Sequence, residues 1–66
     1  MYKNGFQFLI TDNEIIGTVN GSARYDYFGR ETIYSVTFND HGYIYRYDIF
    51  ESTITNNLKC GNYKAM

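Results

Sequence analysis

The stretch TIYSVTFNDHGYIYRY, residues 32–47, alternates large apolar and small or polar side chains on both sides of a three-residue break. In an extended chain, alternate side chains share a face. Tyr34, Val36 and Phe38 therefore point one way and Ser35 and Thr37 the other. After the break at Asp40–His41–Gly42, the residues Tyr43, Tyr45 and Tyr47 line up in the same manner. Gly42 adopts positive φ at little cost, so the whole stretch reads as a β-hairpin closed by a tight turn. The tyrosine row predicts one wall of a core with its hydroxyls at the rim, where a phenol O–H finds a partner. Arg46, on the Ile44 face, argues against the reverse arrangement.

Upstream, FQFLI (6–10) places Phe6, Phe8 and Ile10 on one side, and TDN (11–13) is a turn cluster. EIIGTVN (14–20) puts Ile15, Gly17 and Val19 on one face, its β-branched residues favouring extended chain. Gly17, inside that run, marks a bend, a bulge or a close approach. GSARYDYFGR (21–30), bracketed by Gly21 and Gly29, reads either as a long hairpin loop or as two strand extensions that pair with each other. Downstream, DIFES (48–52) loses the alternation and suggests one short 3₁₀ turn, with Asp48 or Ser52 bonding nearby backbone N–H groups. TIT (53–55) reads as a last short strand, and the residues after it have little periodicity. The expected organisation is one domain over residues 1–56 and a partly ordered tail over 57–66. The expected fold class is all-β: a small five-stranded barrel, or a strongly twisted antiparallel sheet, with one 3₁₀ turn. No proline is present to guard a sheet edge, which favours closure.

Composition narrows the classes of function. A chain of 66 residues holds one core, and a domain of this size removes only about 60% of its unfolded surface from water. Cys60 is the only cysteine and His41 the only histidine, so neither an intramolecular disulfide nor a structural zinc site can be built. Aromatic burial must carry the stability: eight tyrosines and five phenylalanines make up 20% of the chain. Association of two copies into a homodimer would enlarge that core, and is a further expectation. The formal charge is −1, with six basic residues scattered among seven acids. That balance lacks the basic excess of a nucleic-acid module, and disfavours such a partner. The N-terminal apolar run is too short for a signal peptide, and no span is long enough for a membrane helix. With its unpaired cysteine the chain is expected in a reducing, cytoplasmic setting.

Three segments carry a resemblance. IIGTV (15–19) resembles the G-x-V strand of Tudor-like and KOW-like domains, YSVTFND (34–40) their Y-x-V-x-F-x-D strand, and DIFESTI (48–54) their acidic E-x-x-I/L ending. Over about residues 6–56 the order of elements is similar to that of an SH3-like small barrel. The resemblance implies a binding fold rather than a catalytic one. The long loop lacks an acidic run and no tryptophan marks a ligand groove, so recognition of proline-rich peptides is not implied.

The residues themselves point the same way. Tyr25, Tyr27 and Phe28 cannot all turn inward from a glycine-bracketed segment: either they cap the open end of the barrel, or with Arg24 and Arg30 beside them they form a surface suited to macromolecular contact. Tyr45 is the further candidate from the tyrosine row. Single-stranded nucleic acid stacking on the same rings is the alternative reading. Catalysis lacks a nucleophile placed beside a base: His41 with Asp40 is half of an acid-base pair, and Cys60 stands alone. Asp12 with Glu14, and Asp48 with Glu51, are only pairs of carboxylates, so neither a metal nor another cofactor is expected. The opening methionine and the lack of a linker give the expectation of a single self-contained module. Phe, Tyr, Met, Ile, Asn and Lys make up roughly half the chain, a usage similar to that of small accessory proteins of AT-rich bacteriophages and mobile elements. The expected function is a non-catalytic protein that modulates or inhibits a larger protein partner.

Overall fold

The computed structural model describes residues 2–66, with the side chain of Ser22 set aside. Five strands, β1 (Gln7–Ile10), β2 (Ile15–Asp26), β3 (Glu31–Asp40), β4 (Tyr43–Phe50) and β5 (Tyr63–Ala65), and one helix, α1 (Glu51–Cys60), make up the fold. The sheet is antiparallel throughout, in the order β4-β3-β2-β1-β5. It is dominated by strands, as the alternation predicts, and it is open: β4 and β5 form its two edges.

β4 and β5 run in the same direction, so the chain between them must cross over. A ten-residue helix is about 15 Å long, and four strand spacings of about 4.8 Å span about 19 Å. α1 therefore runs across the strands and packs on β3, β4 and β5.

The register builds the core. Phe8, Gly17, Phe38 and Tyr45 form one row across four strands, and Val19, Val36 and Tyr47 form the next. These rows lie on the face covered by α1, whose Ile54 is fully buried with Phe8, Ile15, Val19, Tyr34, Val36 and Phe38. Phe8 stacks on Tyr63 with ring centres 4.5 Å apart and meets Phe38 edge-on at 6.2 Å. The interior glycine of β2 is explained here: the Phe8 ring lies directly over Gly17. The opposite face is a polar row in which Gln7 bonds Thr18 and Asn20 bonds Thr37.

Turn chemistry follows the sequence closely at the β3–β4 hairpin. His41 and Gly42 both have positive φ, 52° and 99°, as a two-residue I′ turn requires. The Asn39 side chain accepts the Gly42 N–H at 2.8 Å.

Three expectations are corrected. The 3₁₀ turn at 48–52 and the strand at 53–55 are replaced by the end of β4 and by α1. Neither Asp48 nor Ser52 supplies the cap. The Glu31 carboxylate accepts the Ser52 N–H at 2.9 Å from a neighbouring strand, meeting the need of the first helical turn for an anionic acceptor. Residues 57–66, expected as a tail, hold the end of α1, the Gly61 stop at φ 85° and the edge strand β5. Thr11 N–H bonds Asn62 O at 3.0 Å and Met66 N–H bonds Gln7 O at 3.0 Å, which fastens this segment to β1.

Candidate functional site

Residues 21–30 form no open loop. β2 continues to Asp26 and pairs Arg24, Tyr25 and Asp26 with Ile33, Thr32 and Glu31, after an irregularity between Asn20 and Arg24. Only Tyr27–Arg30 form the turn. The Asp26 carboxylate accepts the Gly29 N–H at 3.0 Å, and Arg30 takes a positive φ of 57°.

This hairpin brings together five of the six residues singled out from the sequence. Phe28 is 99% exposed and Tyr27 84% exposed, and Tyr25, about half exposed, meets Tyr27 edge-on at 4.9 Å. Arg24 donates to Asp48 Oδ2 at 3.0 Å, across β3 on β4, with both side chains largely in solvent. Arg30 flanks the rings from the turn and is exposed.

Tyr45 is placed elsewhere. It pairs with Phe38, six residues along β3 from the Tyr25 partner Thr32, which is about 20 Å of strand. Its ring stacks on Phe38 at 5.5 Å and sits between Tyr43 and Tyr47, each 5.6 Å away. The tyrosine row thus lies on the core-side face, as the alternation predicts, but on an edge strand that α1 covers only in part. Tyr45 is half-buried, whereas Tyr43 and Tyr47 stand in solvent. Partial burial raises the Tyr45 hydroxyl above the ordinary tyrosine pKa, and the charges of Asp40, Tyr47 and Tyr43 raise it further.

Between this row and α1 runs a mainly apolar groove of about 400 Å³ lined by Phe38, Tyr45, Tyr47, Ile49, Phe50 and Thr53, with Ile10 and Asp48 also in its wall. Phe50 belongs to both regions: it lines the groove, and a Cβ at Gly29 would touch its ring at 3.6 Å. Phe50 therefore lies between the turn at Gly29 and the groove. Sequence reasoning missed Phe50 and the groove. The available signal was the four-residue spacing of Phe50, Ile54 and Leu58, ended by Gly61, which marks one face of a helix.

His41 Nδ1 lies 2.8 Å from Asp40 Oδ1 at the β3–β4 turn, with both side chains exposed. Cys60 is a free, exposed thiol at the end of α1. Among the described residues no three His, Cys, Asp or Glu side chains gather as a metal site, and no helix is long and apolar enough to cross a membrane. No protein-family model matches the chain, and neither a curated protein nor a solved structure matches it.

Proposed function

We propose that this protein is a non-catalytic binding module that engages a larger protein partner through the aromatic tip of the β2–β3 hairpin and modulates or inhibits it, in the manner of small accessory proteins of bacteriophages and mobile elements. The observation that carries this reading is the exposure of Tyr27 and Phe28 on a turn that is itself well held. A large ring can bury about 150–250 Å², and here two such rings are held in water by strand pairing up to Glu31 and by the Asp26–Gly29 bond. Folding gains nothing from that placement. A docking surface does, because a held turn loses little conformational freedom when its rings enter a partner's pockets. Tyr25 supports Tyr27 from the side, and Arg24 and Arg30 supply polar contacts around the rings.

The test is affinity purification from the source cells with the unaltered chain and with Tyr27→Ala combined with Phe28→Ala. A partner should be captured by the first and lost with the second, whose circular dichroism and melting temperature stay unchanged. Truncating an interface anchor costs about 2 kcal/mol or more, so binding to the purified partner should weaken about thirtyfold. An identical captured set from both proteins would remove the hairpin from the reading. A low-salt mobility shift of single-stranded oligonucleotides, lost steeply as salt rises, would replace the protein partner by nucleic acid.

A further inference from the structure

The two edges of the sheet are treated differently. β5 has three residues, with Lys64 at its centre, which is the usual protection of an edge against pairing with another chain. β4 has eight residues paired to β3 without interruption from Tyr43 to Phe50, so its outer side is regular and carries no bulge. Tyr43 is 71% exposed, Ile44 62% and Tyr47 61%. An edge of this length and composition is a template for another strand.

We infer that this template is occupied by a second copy of the chain, β4 against β4, in one definite register. Identical antiparallel strands related by a two-fold axis perpendicular to the sheet have one residue facing itself, and residues that face each other lie on the same side of the joined sheet. Only registers centred on Arg46 or Tyr47 use nearly all of β4. Centring on Arg46 sets two guanidinium groups against each other and puts Ile44 opposite Asp48. Centring on Tyr47 sets Arg46 opposite Asp48 of the second copy, and Asp48 opposite Arg46 of the second copy. It also sets Tyr45 opposite Ile49 and Ile44 opposite Phe50, each pair occurring twice by symmetry. Centring on Asp48 brings two carboxylates together. Charges two residues apart and opposite in sign thus protect β4 against the neighbouring registers while complementing the one centred on Tyr47.

The local geometry leaves these groups available. Among the described residues, Arg24 bonds only Oδ2 of Asp48, and Arg46 makes only a long 3.5 Å contact to Ser35 Oγ. On the helix side, Tyr45, Tyr47 and Ile49 of the two copies meet across the axis, so each apolar groove is extended by the other. The hairpin tips lie at opposite ends of the joined sheet and remain free.

The test uses Arg46→Glu and Asp48→Lys as separate proteins, each checked for an intact fold by circular dichroism. Sedimentation should show a dimer for the unaltered chain, and at least tenfold weaker association for each variant alone, since each sets like charges opposite. An equimolar mixture of the two should regain dimers, because the glutamate at position 46 then faces the lysine at position 48 and Arg46 faces Asp48. A second readout fixes the register. In a Cys60→Ser background, Tyr47→Cys should form an intermolecular disulfide on mild oxidation, because residues directly opposite lie about 4.5–5.5 Å apart at Cα, within disulfide reach. Arg46→Cys should not. A chain that stays monomeric at every concentration, a mixture that fails to associate, or cross-linking through position 46 in preference to 47 would each overturn the inference.

Discussion

Replacing Gly17 by alanine sets two opposing effects on one residue, and the sign of the result tests the packing of the core. Glycine inside a strand is ordinarily unfavourable, and alanine at a compatible position stabilises by about 0.4–1 kcal/mol through the unfolded state. In this sheet, however, a Cβ on residue 17 would lie 2.7 Å from Cε2 and 2.9 Å from Cε1 of Phe8, and closer still to Cζ. Phe8 has nowhere to go: it is fully buried, stacked on Tyr63 and set edge-on to Phe38. Overpacking of such a core costs about 1–3 kcal/mol, so the net effect should be a loss of about 1–2 kcal/mol. For a domain of this size each kcal/mol moves the melting temperature by about 4–8 °C, which gives a fall of about 5–15 °C. The assay is thermal and urea unfolding of Gly17→Ala, repeated in a Phe8→Leu background where the ring edge is gone. The cost of the alanine should shrink markedly in that background, because the two residues share one contact. A raised melting temperature for Gly17→Ala alone, or the same loss in both backgrounds, would show that the ring does not lie over residue 17.

Ile54→Ala should cost about 2–5 kcal/mol, since this is the one fully buried side chain by which α1 is held to the sheet; the urea midpoint and the helical dichroism report it. Alkaline pH should destabilise the fold through Tyr45 and Tyr63. Both hydroxyls are raised above 10.0, Tyr45 by partial burial and then by Asp40, Tyr47 and Tyr43, and Tyr63 by burial beside Phe8. Their contribution is whole below 10.0 and is lost as pH rises through the raised folded values, because the unfolded chain ionises first. Melting temperature against pH, followed with tyrosinate absorbance, should fall above 10.0, and less steeply in Tyr63→Phe. A curve indifferent to that substitution would remove Tyr63 from the account.

The alternation of side chains was sufficient to place β1, β3 and β4 as far as Tyr47, the I′ turn at His41–Gly42 and most of the core face, because a two-residue period is a local property of an extended chain. That Tyr25, Tyr27 and Phe28 do not all turn inward followed from the glycines that bracket them, but that Tyr27 and Phe28 stand in solvent and do not cap an end of the sheet was decided by the pairing of β2 with β3 up to Glu31. α1 was hidden because Thr53, Ile54 and Thr55 are β-branched and Asn56 and Asn57 are weak helix formers. The helix is held by long-range terms instead: burial of Ile54, the Glu31 carboxylate at its first turn and the Tyr2 hydroxyl 2.7 Å from Thr55 Oγ1.

Which strands are edges is a different kind of information. The row Tyr43, Tyr45, Tyr47 looks the same in sequence whether β4 sits in the middle of a sheet or at its border. Only the crossover of α1, which carries β5 to the far side of β1, leaves β4 unpaired and its tyrosines half covered. Local periodicity decides which side chains share a face. Pairing between residues distant in the chain decides what that face meets, and no local pattern records it.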